Sequence, residues 1–429
     1  MMRTFLVAAC GFFCAAPVAA QGGDTLALAD VLEAARRQDP RGAQQALERA
    51  RSALRLERID ADRLPSLRMS GQAQYQSEVT SLSGAGLPDV PFSLPERSRD
   101  TYDARLDLRQ SIFDPTIPSR RAVEHATRSE AEAQIETTLH ALRAEAIEAF
   151  FTAALMDARV DAIEATLRDL AAAGDVAAAR VREGTALPSE EAALRAELLR
   201  RRQDAAEAVA ERVAALRIVS VLTGIETDTT AVLLVVDASD AAPLPDSIAR
   251  PELALLARRQ DRLGLQERAL AANDLPRLSA FGRVGYGRPG LNLLGDAFAG
   301  WWLGGVQLEW SPRLWGGEGR ERELLRLESE IVASEAAAFR ASVERAAARD
   351  AAAIARLAET IVLDDEIVSL RESVEREARL RFEEGVVTSA ELVDRNTDVL
   401  AARIARATHR LELARSRARY RNLMGVEVE

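Results

Sequence analysis

The strongest constraint in this chain is a long stretch with neither glycine nor proline. From Arg320 to Glu384 both are absent, and no proline follows Pro312. Ala, Glu, Arg and Leu fill these positions, all strong helix formers. At 1.5 Å per residue such a run makes a rod about 100 Å long. A helix of that length exceeds ordinary globular ones and implies a partner along its side. Apolar residues recur at spacings of three and four in Ile354, Leu357 and Ile361 and again, after a step of two, in Leu363, Ile367, Leu370 and Val374. That spacing predicts coiled-coil packing.

The chain carries this pattern twice. Ser119 to Glu183 is a second such stretch, interrupted only by Gly174. Each run ends at a glycine, Gly184 or Gly385, suited to a helix C-terminus. A new helix follows at once. Pro188 fits the first helical position of one, and Thr388 with Glu391 has capping-box spacing in the other. The partner helices span roughly 188–223 and 388–424, with tips at about 182–190 and 382–391. Other markers repeat too: Leu64-Pro65-Ser66-Leu67 matches Leu275-Pro276-Arg277-Leu278, and Asp39-Pro40-Arg41 matches Arg250-Pro251-Glu252, both offset by 211. Leu222 to Glu226 matches Leu423 to Glu427 at an offset of 201, so the loop at Thr80–Arg99 is the longer of its pair. A fixed self-similarity of this kind marks a structural duplication.

Between the helices lie four alternating segments, at about 66–79, 101–113, 277–287 and 301–311. Leu67, Met69, Ala73 and Tyr75 alternate with Arg68, Ser70, Gln72 and Gln74; Tyr102, Leu106 and Leu108 alternate with Asp103, Arg105, Asp107 and Arg109. A period of two gives each strand one apolar and one polar face. Tyr75, Tyr286, Trp302 and Trp310 stand near strand ends, as interfacial aromatics do. These features suit a membrane barrel with lipid outside and water inside. Four strands cannot close one alone, and open edges in lipid strand backbone groups without partners. The count therefore predicts that several protomers share one barrel.

Residues 1–20 read as a secretory signal peptide, with Arg3, an apolar run from Phe5 to Phe13, and Val18-Ala19-Ala20 before the cut. Both cysteines, Cys10 and Cys14, lie within it, so disulfide and thiolate chemistry is excluded from the mature chain. The rest divides into a first repeat over 21–224, a segment over 225–247 that interrupts the helices, and a second repeat over 248–429. Aromatic residues make up only 4% of the chain, and the formal charge of −11 argues against nucleic-acid binding. All basic residues are arginine.

Taken together, the duplication, the Leu-Pro-x-Leu lead-ins to strands one and three, Arg250-Pro251-Glu252-Leu253 and the tips Arg182-Glu183-Gly184-Thr185 and Phe382-Glu383-Glu384-Gly385 resemble the TolC family of outer-membrane efflux proteins. The resemblance covers essentially the whole mature chain. It implies a mainly α fold with a small β part, in which long antiparallel coiled-coil hairpins adjoin four transmembrane strands per protomer. Three protomers would make a twelve-stranded barrel in the outer membrane of a Gram-negative bacterium and an α-helical tunnel across the periplasm. Ile225–Ser247 would join an equatorial band. Such a duct serves a tripartite efflux pump or a type I secretion system. It takes energy from an inner-membrane pump and meets a periplasmic adaptor (membrane fusion) protein at its tips. Here those tips are Gly184, Thr185, Ala186 and Leu187, and Gly385, Val386, Val387 and Thr388. The family's acidic gate rings fall on Glu391 and Asp394, with Glu190 at the matching place in the first half. At i and i+3 the two acids share a helix face, and a trimer would turn each into a ring of three carboxylates that favours cations. Where the family has polar and basic gate latches this chain has Val386-Val387, leaving Arg379 or Arg381 for that role.

Other signals lead nowhere. Gly285 to Gly290 spells GxGxxG without the helix a dinucleotide site needs. His125, His140 and His409 stand singly on long helices, without metal-ligand spacing. Arg200-Arg201-Arg202 reads as a solvated helix face. No catalytic constellation emerges, so neither an enzyme nor a cofactor is expected. The alternative to a channel is a soluble periplasmic coiled-coil adaptor or scaffold, which would have no use for aromatic-ended, two-faced strands.

Overall fold

The computed structural model describes residues 25–79, 98–228, 231–236, 242–292, 296–311 and 317–428. The signal peptide, most of the loop at 80–99 and parts of 225–247 lie outside the described residues. In chain order the elements are β1 (Thr25–Ala27), α1 (Leu28–Gln38), α2 (Gln44–Ala61), β2 (Ser66–Tyr75), β3 (Asp100–Phe113), α3 (Thr116–Arg182), α4 (Pro188–Thr223), β4 (Val232–Leu234), α5 (Pro251–Asn273), β5 (Arg277–Arg288), β6 (Ala299–Glu309), α6 (Gly317–Glu383) and α7 (Ser389–Met424). A 3-10 turn at Pro40–Ala43 links α1 to α2. Among the described residues no helix is long and apolar enough to cross a membrane.

Helices α3 and α6 have 67 residues each, and their partners α4 and α7 have 36 each. The matching lengths express the duplication directly. α3 is the spine: it packs on α4 within its own hairpin, on α7 of the other hairpin, and on α1, α2 and α5. Among the described residues α6 packs along α7 and α5 and meets α3 near the tips. Near the tips the helical layer therefore runs α4, α3, α7, α6; toward the sheet it runs α2, α3, α5, α6.

Phe150, one of the largest fully buried side chains, sits on α3 in a core with Phe151, Ile147, Leu28, Val31 and Val219. This core lies where β1 and β4 pair in parallel, Thr25 opposite Val232 and Ala27 opposite Leu234. The start of α3 is pinned by Asp114, whose carboxylate accepts from the Thr116 backbone N–H at 2.9 Å and its hydroxyl at 2.6 Å. Such a cap satisfies a donor that the helix cannot.

The apolar stripe read on α6 divides. Ile354 and Leu357 are buried against α7, whereas Leu363, Ile367, Leu370 and Val374 face outward. The lower half of the stripe thus points away from its own protomer.

Four strands form one antiparallel sheet in the order β2-β3-β5-β6. Its register keeps the faces coherent: Leu67 stands opposite Leu108, Met69 opposite Leu106, Leu106 opposite Val284, and Val284 opposite Trp302. This face lies bare, with Met69 and Trp302 each 81% exposed. The other face carries an ionic chain in which Asp107 meets Arg283 at 2.9 Å and Arg105 at 3.4 Å. Arg105 also donates to Ser70 Oγ at 3.1 Å. An added Cβ at Gly285 would overlap the Trp301 ring, so glycine there lets the indole lie on strand β5. β2 stops at Tyr75 rather than 79, because its partner β3 begins at Asp100 and the ladder ends with that pair.

Candidate gate and docking tips

Both hairpins turn by the same device. Gly184 and Gly385 adopt positive φ values of 71° and 79°. In the first tip the Gly184 N–H donates to Val181 O at 3.1 Å and Thr185 N–H to Arg180 O at 2.9 Å. In the second, Gly385 N–H donates to Phe382 O at 3.0 Å and Val386 N–H to Arg381 O at 2.8 Å. This is the Schellman arrangement, and the left-handed residue it requires is cheapest as glycine. Leu187 and Val386 project from the two tips at 66% and 69% exposure. Apolar side chains so bare at the end of a rod are available to a partner.

Thr388 caps α7, its hydroxyl accepting from Glu391 N–H at 3.3 Å. The capping spacing seen in sequence is therefore a capping bond. It leaves the Glu391 carboxylate exposed, with Asp394 exposed one turn on. Glu190 lies in the first turn of α4 and is half-buried. Among the described residues none of these three carboxylates has an ion-pair partner. Glu190 and Glu391 stand in the first turns of α4 and α7, where the helix dipole favours an acidic residue.

The two tips are fastened together by contacts that sequence reasoning largely missed. Leu170 and Ala177 of α3, Leu194 of α4, Phe382 of α6 and Leu392 of α7 form a shared apolar cluster. Arg180 reaches across from the first tip, donating to Phe382 O at 3.0 Å with its guanidinium 5.6 Å from the Phe382 ring centre. Arg379 of α6 bridges to Asp169 of α3 at 2.9 Å, while Arg381 pairs with Glu377 on its own helix. Arg201 corrects the reading of a solvated arginine triplet: Arg200 and Arg202 are exposed, but Arg201 is only 7% exposed. Glu197 at 2.6 Å and Asp204 at 3.0 Å hold it, and it donates to Thr397 Oγ1 of α7 at 3.0 Å. An arginine buried so deeply persists only when paired. Glu197, Asp204 and Glu377 are local i,i+3 and i,i+4 partners, but Arg180 and Phe382, Arg201 and Thr397, and Arg379 and Asp169 lie some two hundred residues apart, so no local spacing announces those links. Among the described residues no group of acids, histidines or cysteines could hold a metal ion.

A family model described as outer membrane efflux protein matches residues 31–224. No curated protein matches the chain by sequence. Its fold is that of solved outer-membrane channels. CusC aligns with a TM-score of 0.70 at 14% identity, covering 93% of this chain and 92% of its own. The Campylobacter jejuni CmeC outer membrane channel gives 0.66 at 14%, covering 93% and 85%. The open state of the Neisseria gonorrhoeae MtrE outer membrane channel gives 0.66 at 16%, covering 94% and 89%.

Proposed function

We infer that this chain, matched by the outer membrane efflux protein model over residues 31–224 and sharing the fold of solved outer-membrane channels over nearly its whole length, belongs to that family and works as a homotrimeric exit duct of a tripartite efflux pump or a type I secretion system. As an efflux channel of the outer membrane it is not an enzyme. The observation that carries the trimeric duct is the two-faced sheet whose edges, β2 and β6, are unpaired among the described residues. Its apolar face would strip no water at a cost if it met lipid, and its ionic face would line an aqueous bore. Three such sheets would close a twelve-stranded barrel and leave no edge in the hydrocarbon. The same operation would set the outer face of α6, with Leu363, Ile367 and Leu370, against α4 of a neighbour. A soluble scaffold would leave that sheet face bare in water, which its exposed tryptophans make unfavourable.

The reading extends to the tips. Glu391 and Asp394, with Glu190 beside them, would form carboxylate rings at the periplasmic gate. Gly184, Thr185, Leu187, Gly385, Val386 and Thr388 would present the docking surface for a periplasmic adaptor, through which an inner-membrane pump supplies the energy. Opening would require the α6/α7 hairpin to part from α3 and α4, breaking the Arg379–Asp169 and Arg201–Thr397 links.

The test is the native mass of protein extracted in detergent from outer membranes, followed by conductance in planar bilayers. A trimer whose cation preference falls in Glu391→Gln/Asp394→Asn supports the reading. A monomer or dimer without conductance overturns it.

A further inference from the structure

The polar face of the sheet is not uniformly charged. Strand register brings Arg68, Arg105, Arg109, Arg277 and Arg283 to it, against Asp103, Asp107 and Glu309, with Asp114 at the end of β3 meeting Arg277 at 3.9 Å. Five arginines against four acids leave one net positive charge per protomer, in a chain whose formal charge is −11. The excess is concentrated in the middle of the sheet. Arg68, Asp107 and Arg283 stand side by side in one register row, and Asp107 is shared by Arg283 and Arg105. Asp103 also reaches Arg105 at 3.5 Å, so two carboxylates serve two guanidinium groups, and Arg68 adds a third guanidinium on the adjoining strand.

The neighbouring half of the same face differs in kind. On β5 and β6 it presents Phe281, Trp301 and Leu303, with glycines beneath the rings. Arg283 sits at the boundary, its guanidinium 5.2 Å from the Phe281 ring centre. The face therefore pairs a cationic stripe with an aromatic one.

We propose that the barrel section is a selectivity filter that favours anions, set by Arg68, Arg105 and Arg283, and suited to organic anions that carry an aromatic or aliphatic body. This rests on the shared-barrel reading above. Three copies of the sheet would carry about three net positive charges around one bore, concentrated in its middle, and fixed arginine rings raise the local concentration of anions. The duct would then hold opposite preferences in series, acidic at the gate and basic in the barrel. An exported acid would find its charge compensated in the barrel and its body accommodated against Phe281 and Trp301.

The experiment measures reversal potentials of purified trimers in planar bilayers under a potassium chloride gradient, in a Glu391→Gln/Asp394→Asn background that removes the acidic gate. Native mass is checked first, so a failure of the shared barrel is seen before any ion is measured and is distinguished from a failure of the filter. The expected reversal potential lies on the chloride side. Adding Arg68→Gln/Arg105→Gln/Arg283→Gln should move it through zero to the potassium side. Asp103→Asn/Asp107→Asn should move it further toward chloride, and this variant keeps the proposal testable if the arginine replacements impair assembly. Conducting trimers that share one reversal potential across these variants, or a gate-neutral trimer that prefers potassium, would overturn the proposal.

Discussion

Helices α3 and α6 have the same length, end in the same glycine turn and occupy equivalent places in the duplication, yet they do different work. α3 is enclosed by five other helices and carries the deepest side chains of the protein, Phe150 among them. α6 leans mainly on two helices and turns Leu363, Ile367, Leu370 and Val374 outward. Duplication supplied two rods; position in the layer made one a spine and the other an edge. An edge with exposed aliphatics at helical spacing is a surface waiting for another helix.

The largest expected effect tests that edge. Ile367→Glu/Leu370→Glu should abolish the trimer in native mass measurements while leaving the protomer's helicity by circular dichroism unchanged. A full trimer in this variant would break the distinction between spine and edge. Next comes the spine itself. Phe150→Ala should cost about 3–5 kcal/mol, read as a lower denaturation midpoint, whereas Leu363→Ala should leave the isolated protomer within roughly 0.5 kcal/mol of the original.

The tips offer a finer contrast. At Gly184 an added Cβ meets nothing within 4 Å, but at Gly385 it would lie 2.8 Å from Arg180 Nη2. Gly184→Ala should cost about 1–2 kcal/mol for the left-handed backbone alone. Gly385→Ala should cost that and also displace Arg180 from Phe382, so its denaturation midpoint should fall further and its trimers should leak more current. Equal effects at the two glycines would remove the special standing of the second tip. The smallest effect is expected at the latch. Arg379 and Asp169 are each about one-third exposed, so their bridge is worth only about 0.2–1 kcal/mol. A double-mutant cycle with Arg379→Ala and Asp169→Ala should return a coupling of that size, with higher open probability in each single variant.

Much of this architecture is legible in the sequence because it is local or periodic. A run without glycine or proline announces a long helix wherever it occurs, and Gly184 and Gly385 mark its end because few other residues take a positive φ. The two faces of the sheet are written in strict alternation. What escapes is whatever depends on distant neighbours. β1 and β4 are three residues each and acquire strand character only by meeting across more than two hundred positions. Arg201 looks like its exposed flanking arginines until α7 folds over it. Periodicity likewise identified the α6 stripe but could not show that Leu363 and its neighbours face outward, because a helix pattern reveals that a face is apolar and not which chain covers it. Of the proposed gate, the Thr388 cap is plain from spacing, whereas the bridges that would hold it shut join residues on different hairpins.

The unpaired edges of the sheet also bear on how the protein reaches its membrane. One protomer alone would carry two rows of unsatisfied backbone groups into hydrocarbon, at several kcal/mol for each group. If three protomers close the proposed barrel, insertion would be a collective event whose rate climbs steeply with the number of protomers present. Below some threshold density the chains would wait outside the membrane with Met69 and Trp302 still wet, and carriers that shield such surfaces would enter the kinetics of biogenesis.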